Sequence, residues 1–252
     1  MREVYLDHYA AGPVLPEVLE EMKPFFAGEF GNPSSLHSRG DRARAAVEEA
    51  RGRVAGLIGA APEEVIFTSG GTEANNTAVK GLGLAARRKG NHVVVSAVEH
   101  FSVLHAARTL EKFDFEVTEV GVDRNGTVAP GAVAAAMRED TVLVSVMAAN
   151  GEVGTIQEIA RIAREVKSRG ALFHTDAVAA AGSVALEVSE LGVDAMSVAS
   201  DMLCGPKGAG ALYVREGVRL MPLLDGGVQE GGRRGGTENV PAIVGLGKAC
   251  EL

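Results

Sequence analysis

"EVIFTSGGTEANNTAVKGLGLAARR", residues 64–88, passes from a short β-branched run through a glycine pair into a helical stretch. "EVIFT", residues 64–68, is a short β-branched run and reads as a strand. Gly70 and Gly71 interrupt it, and the residues from Thr72 to about Arg88 carry a helix. Strand, glycine turn and helix in that order form the repeating unit of a parallel α/β sheet. The same alternation extends outward in both directions. Upstream, residues 16–27 and 40–59 read as helices, the second with apolar residues at helical spacing and opposite charges three to four apart. Downstream, "HVVVSAV" (92–98), "FEVTEV" (115–120), "TVLVSVM" (141–147), "ALFHTD" (171–176) and "AMSVA" (195–199) are further strands. Helical stretches near 102–112, 129–138 and 157–168 separate several of them. A turn at Gly205-Pro206-Lys207-Gly208 leads into a half-buried strand, Ala211 to Arg215. Near-continuous apolar strands joined by helical crossovers imply an α/β fold with a mostly parallel sheet, covered by helices on both faces.

The composition bounds the function. At 252 residues with 46% hydrophobic content, the chain supports a sizeable core, built from Val, Ala, Leu and Ile because Trp is absent. A net charge of −8 speaks against nucleic acid or an anionic membrane as a main partner. Cys204 and Cys250 form no CxxC pair, so neither a disulfide scaffold nor a structural zinc site is expected. No stretch approaches the ~18 consecutive apolar residues of a membrane span, and "MREVYLDHYAAGPV" is not a secretory leader. A cytoplasmic location is expected. No repeat or low-complexity linker divides the chain, and "PAIVGLGKACEL" reads as an apolar-periodic helix with no stop signal, as if the chain were cut short.

Ligands of such sheets bind beyond the carboxyl ends of the strands. Thr68, Ser69, Gly70, Gly71 and Thr72 occupy one such end, where free N–H groups and a hydroxyl serve as an anion cradle or simply as a glycine turn with a threonine cap. It is not a P-loop, since GxxxxGK[ST] is absent. Asp176, ending "FHTD", either holds a protonated ring nitrogen or caps the next element. His100, past "SAVE", is a ligand contact or a structural histidine. His100, His105, His174 and Asp176 lack metal-ligand spacing, and no GxSxG nucleophile elbow occurs.

Taken together, "YLDHYAAGPV", "FGNPSSLHSRG", "VIFTSGGTEANN", "SAVEHFSVL", "NGEVGTIQ", "FHTDA", "GPKGAGALYVR" and "GGVQEGGRRGGTENVPAIVG" resemble the cysteine desulfurases of the class V aminotransferase group, in order and in spacing. The likeness covers essentially the whole chain. It implies the large domain of the fold-type I pyridoxal-phosphate (PLP) transferases over residues 16–252, with residues 1–15 as an N-terminal arm and the C-terminal small domain absent. It also implies a homodimer, PLP as cofactor, cysteine as substrate, and sulfur mobilisation for iron–sulfur cluster assembly, with an iron–sulfur scaffold protein as a partner. By position, Gly71 and Thr72 would bind the PLP phosphate, His100 would stack on the ring, and Asp176 would pair with the ring nitrogen. Thr237 would reach the phosphate in the partner subunit.

The departures from the family pattern surround the same cofactor. Met202 stands where the resemblance implies the Schiff-base lysine, and a thioether forms no imine, so covalent attachment is not expected. Asp201 replaces the adjacent histidine, Ala199 a phosphate-contacting serine, Ala179 a ring-contacting glutamine, and Gly151 the second asparagine of "NNE". The substrate-side "NAATT" has become His8-Tyr9-Ala10-Ala11-Gly12. Each lost hydrogen bond weakens binding by roughly 0.5–1.5 kcal/mol. Lys207 is a turn residue in the family rather than the imine former, and the persulfide-forming cysteine lies in the family's small domain. Cys250 reads as a small buried residue, and Cys204, close to Met202, as packing rather than chemistry. The expected protein is therefore a cysteine desulfurase-like chain that does not run the standard PLP reaction alone. The alternatives are a non-catalytic scaffold that binds a partner, a pseudoenzyme, and a protein that binds PLP without a covalent bond.

Overall fold

The computed structural model describes residues 4–10 and 12–252, so Ala11 and the first three positions of the expected arm lie outside the described residues. Seven strands form one sheet: β1 (Val65–Thr68), β2 (His92–Ser96), β3 (Glu116–Val120), β4 (Thr141–Ser145), β5 (Leu172–Asp176), β6 (Ala195–Ala199) and β7 (Gly210–Val214). Their order across the sheet is β1-β7-β6-β5-β4-β2-β3. β7 pairs antiparallel with both β1 and β6, and the remaining pairs are parallel. Six strands therefore point the same way, and their carboxyl ends share one edge.

Helices α1 (Pro16–Met22), α2 (Pro24–Ala27), α3 (Ser38–Ile58), α4 (Gly71–Ala86), α5 (Phe101–Leu110), α6 (Pro130–Ala136), α7 (Ile159–Ser168), α8 (Val188–Leu191) and α9 (Val240–Glu251) complete the chain. Alternate strand residues feed two separate cores, because successive side chains leave opposite faces. Ile66, Val93, Val95, Leu143, Leu212 and Val214 pack with Ala78, Leu82, Val103 and Leu110 of α4 and α5. Val65, Phe67, Val94, Val144, Phe173, Val198 and Tyr213 pack on the other face with residues of α3, α7 and α9. Coverage on both faces is what makes the strand sequences nearly continuous in apolar residues.

Two expectations need correction. The helix expected over 16–27 is two short helices, because Pro24 has no N–H to continue the ladder of α1 and instead opens α2. The strand after the Gly205–Gly208 turn is not half-buried: all of Gly210–Val214 is buried, since β7 lies between β1 and β6. Gly210 is also a site of close approach, because a Cβ there would sit 2.7 Å from the backbone of Gly70. Gly70 itself holds φ at +145°, a conformation that favours glycine. The glycine turn and the start of β7 are thus pressed together where α4 begins.

Behind β1, one ion pair is enclosed. Arg51 of α3 donates to both carboxylate oxygens of Glu230 at 2.8 Å and to the Val65 carbonyl at 2.9 Å. Glu230 also accepts from the Phe67 N–H at 2.8 Å, and the guanidinium lies over the Phe67 ring at 4.7 Å. This arrangement fixes the loop before α9 against the sheet.

Candidate functional site

The shared carboxyl edge of the strands opens into a cleft of about 350 Å³. Gly71 and Thr72 enter it from the start of α4, His100 from the loop after β2, Met147 from the loop after β4, and Asp176 from the end of β5. Ala199 ends β6 on the cleft wall, and the turn that follows places Asp201 and Met202 there. The arm contributes Tyr9 and Ala10. The structure thus brings together Gly71, Thr72, His100, Asp176, Asp201 and Met202.

Thr237 does not join them. It is exposed and lines a separate recess with Phe67, Ser69, Gly208 and Arg234. Lys207 is also exposed and outside the cleft wall. Cys204 lies in a left-handed conformation (φ +55°) on the turn that carries Met202. Cys250 packs against the core, and burial pushes its thiol up to about 12, far from reactivity. His174 is enclosed between the hydroxyls of Ser145 (2.8 Å) and Ser197 (3.0 Å), and burial pushes its pKa down to about 3. Its role is structural. Among the described residues, no group of three or more His, Cys, Asp and Glu is placed to hold a metal. No helix among the described residues is long and apolar enough to cross a membrane.

At the base of the cleft, the Asp176 carboxylate accepts from Asn75 Nδ2 at 2.7 Å and from the Val178 N–H at 2.9 Å. Burial raises its pKa above the ordinary aspartate value, while these bonds and the nearby His100 oppose the rise. The same Asn75 amide donates to Ser102 Oγ at 2.9 Å, and the His100 ring accepts from the Ser102 N–H at 3.1 Å. Asp176, Asn75, Ser102 and His100 form one connected polar chain along the wall. Asn75 Oδ1 is buried and has no partner among the described residues.

Asn75 was not singled out in the sequence. The available signal was its place three residues after Thr72, which puts both on one face of α4. Glu99 was missed as well. It is buried, accepts from Ser96 Oγ at 2.5 Å and from the Met147 N–H at 2.6 Å, and leaves Oε2 without a partner among the described residues. Burial, reinforced by the charge of Asp176, pushes its pKa up to about 8 against the opposing hydrogen bond from Ser96.

The sign of the resulting pH dependence follows directly. Above the unfolded-state value of 4.5 the unfolded chain releases this proton, whereas the folded chain keeps it until about pH 8. Folding stability therefore falls as pH rises through that window, by at most about 1.4 kcal/mol per pH unit from this group. Glu99→Gln is expected to flatten the alkaline side of the stability–pH profile, measured by urea denaturation between pH 6 and 9. An unchanged slope would mean that Glu99 is ionised in the native state.

A doubly wound sheet with a cleft at its carboxyl edge and a buried carboxylate at the base defines a ligand-binding α/β protein. Residues 4–252 match the family described as Aminotransferase class-V, and the chain belongs to it. A cysteine desulfurase IscS of Dictyoglomus turgidum is 51% identical over 251 residues, covering 100% of this chain and 64% of that protein. A putative cysteine desulfurase IscS 1 of Bacillus subtilis is 50% identical over 252 residues, covering 100% of this chain and 66% of that protein. The chain thus spans slightly less than two thirds of their length. Among solved structures, a NifS-like protein matches with a TM-score of 0.96 and 40% identity, over 99% of this chain and 69% of the other. SspA in complex with cysteine matches with a TM-score of 0.96 and 39% identity, over 99% and 72%.

The cysteine desulfurases of this family depend on PLP. The cleft fits that group in part. Asp176, with no Lys or Arg paired to it among the described residues, suits a protonated ring nitrogen. Among the described residues, no lysine or arginine lines the cleft, so none of their side chains offers an amine to a carbonyl, and Met202 and the Asp201 carboxylate occupy that side. At the phosphate end, the Ser69 N–H already donates to Glu73 at 2.8 Å. The residues present fit the ring of the group but not its covalent attachment.

Proposed function

We propose that residues 16–252 are the large domain, and residues 1–15 the arm, of a cysteine desulfurase-like protein of sulfur mobilisation for iron–sulfur cluster assembly, and that this chain does not run the PLP reaction by itself. The carrying observation is Met202 beside Asp201 on the cleft wall, with no lysine lining the cleft among the described residues. His100 and Asp176 keep the ring side of the site, and Gly71 and Thr72 keep the start of α4 where the family pattern puts the phosphate, so any use of PLP here is noncovalent. Thr237, exposed and away from its own cleft, supports a homodimer in which it serves the second subunit.

The test is cysteine turnover by the purified chain, followed as alanine and sulfide with and without PLP. No PLP-dependent product is expected. Sustained production of both that requires PLP would overturn the reading. A second reading, a partner-binding pseudoenzyme, draws on Phe26, Phe30 and Leu36, apolar side chains 63%, 63% and 96% exposed in the segment between α1 and α3. It predicts co-purification with an iron–sulfur scaffold protein at fixed stoichiometry, and loss of that complex in Phe30→Ser/Leu36→Ser.

A further inference from the structure

Tyr9 and Gly151 interlock at the mouth of the cleft. A Cβ at position 151 would lie 2.0 Å from two carbons of the Tyr9 ring and 2.3 Å from its hydroxyl oxygen. Gly151 does not lie in the left-handed region, so its own backbone imposes no need for glycine. The ring imposes it, because it is seated where any side chain at 151 would begin.

In that seat Tyr9 stands between two hollows. On one side is the cleft of about 350 Å³, and on the other a recess of about 920 Å³ opens over α5 and the loops after β3 and β4. Tyr9, His100, Met147 and Glu152 line both, so the two share a wall. Three members of that wall are tied to the body of the domain. Glu99 accepts from the Met147 N–H, the His100 ring from the Ser102 N–H, and Asn150 Oδ1 from the Glu152 N–H. Tyr9 instead comes from the arm, whose Val4 and Leu6 are 68% and 88% exposed, so little apolar burial anchors it. It is the movable member. Burial, then the charges of Asp176 and Glu152, raise the phenol's pKa, so an uncharged ring separates the hollows. The hollows also differ in what they take. Small-molecule sites span about 300–1,000 Å³, and the cleft lies at the small end. The recess is walled in part by Phe101, Leu104, Val122 and Val153, with Phe101 and Val153 largely exposed. It suits an apolar group that takes this surface out of water.

We infer that Tyr9, seated on Gly151, is the specificity-determining residue of the cleft: it admits a ligand of one ring and refuses the same ring carrying an apolar extension. With the ring seated, such an extension meets the phenol. With the ring unseated or removed, cleft and recess become one space, and the extension lies against Phe101 and Leu104. The inference rests on the noncovalent ring-binding reading above and adds to it which ligands are refused, and by which residue.

The experiment is calorimetric titration of the full chain with pyridoxamine 5′-phosphate and with its N-benzyl derivative, which share ring and phosphate and differ in the apolar extension. The natural chain is expected to bind the first at least about tenfold more tightly, because a built-in clash penalises the second. Tyr9→Ala should erase or reverse that preference by tightening the N-benzyl probe, with little change for the other. Gly151→Ala should act in the same direction, since its Cβ takes the ring's seat. The double variant should go no further than either single one, as expected for residues acting through one contact. Tyr9→Phe keeps the ring and should keep the preference. A merely structural role for Tyr9 would instead weaken both probes together in Tyr9→Ala, and that result would overturn the inference. Equal binding of the two probes by the natural chain would overturn it alone and leave the noncovalent reading standing. Binding of neither probe by any of these chains, with circular dichroism showing them folded, would overturn both.

Discussion

Met202→Lys is expected to give the chain a covalent bond to PLP that the natural sequence lacks. After incubation with PLP and borohydride reduction, intact-mass measurement should find the natural chain unmodified and the variant carrying one equivalent. The argument is positional. Met202 sits on the turn Asp201–Leu203 directly after β6, and that turn lies on the same cleft wall as Asp176 and His100. An unbranched side chain of similar length needs no backbone change to reach the cleft. Its ammonium would face Asp201 and Asp176, and nearby carboxylates favour the protonated, unreactive form. Labelling should therefore be slow at neutral pH and faster at pH 9. Adding Asp201→His should speed it further by removing one of those charges. If the natural chain is labelled stoichiometrically, an amine outside the cleft wall, with Lys207 the first suspect, reaches PLP. The proposed function then loses its basis.

The class of fold was legible because the strands are covered on both faces. Runs such as Val93-Val94-Val95 and Ala211-Leu212-Tyr213-Val214 need no alternation when both sides are apolar, and they stand out from the helices around them. What failed was local geometry that depends on neighbours. Nothing within Gly210–Val214 announces that β7 is enclosed by β1 and β6, and the break at Lys23 required giving Pro24 more weight than the surrounding apolar pattern.

The site divides in the same way. Gly71, Thr72, His100, Asp176, Asp201 and Met202 each follow a strand closely, so a rule about carboxyl edges gathers them. The altered arm and Gly151 were visible as departures, but not as one departure. Their contact exists only because the arm folds back over the sheet. Asn75 Oδ1 and Glu99 were beyond reach for another reason: being buried without a partner is a property of the finished interior, invisible in residue spacing.

Glu230→Ala should be the most damaging single change to folding outside the strands. The Arg51 guanidinium would keep its burial while losing both 2.8 Å bonds to Glu230, and the Phe67 N–H would lose its acceptor. Glu48 would remain as a partner of Nε at 3.1 Å and of Nη2 at 3.2 Å, but its side chain is 57% exposed, and Nη1 would keep only the Val65 carbonyl. Breaking one side of an enclosed pair costs about 3–5 kcal/mol, chiefly because the remaining charge is stranded. The urea midpoint should fall accordingly with little change in slope. Arg51→Met combined with Glu230→Leu is the informative companion, because removing both charges relieves the stranded group and should recover much of the loss. The two outcomes separate stability from function. Glu230 also anchors the loop that carries Arg234 and Thr237, and Arg234 in turn pairs with Glu73 at 2.9 Å beside the glycine turn. In the recovered double variant the core is apolar but that loop is no longer tied to β1. A variant as stable as the natural chain, yet weaker in self-association by sedimentation, would mean that the ion pair serves mainly to present the Thr237 loop to a second subunit. Unchanged association would make it a pin for the core alone.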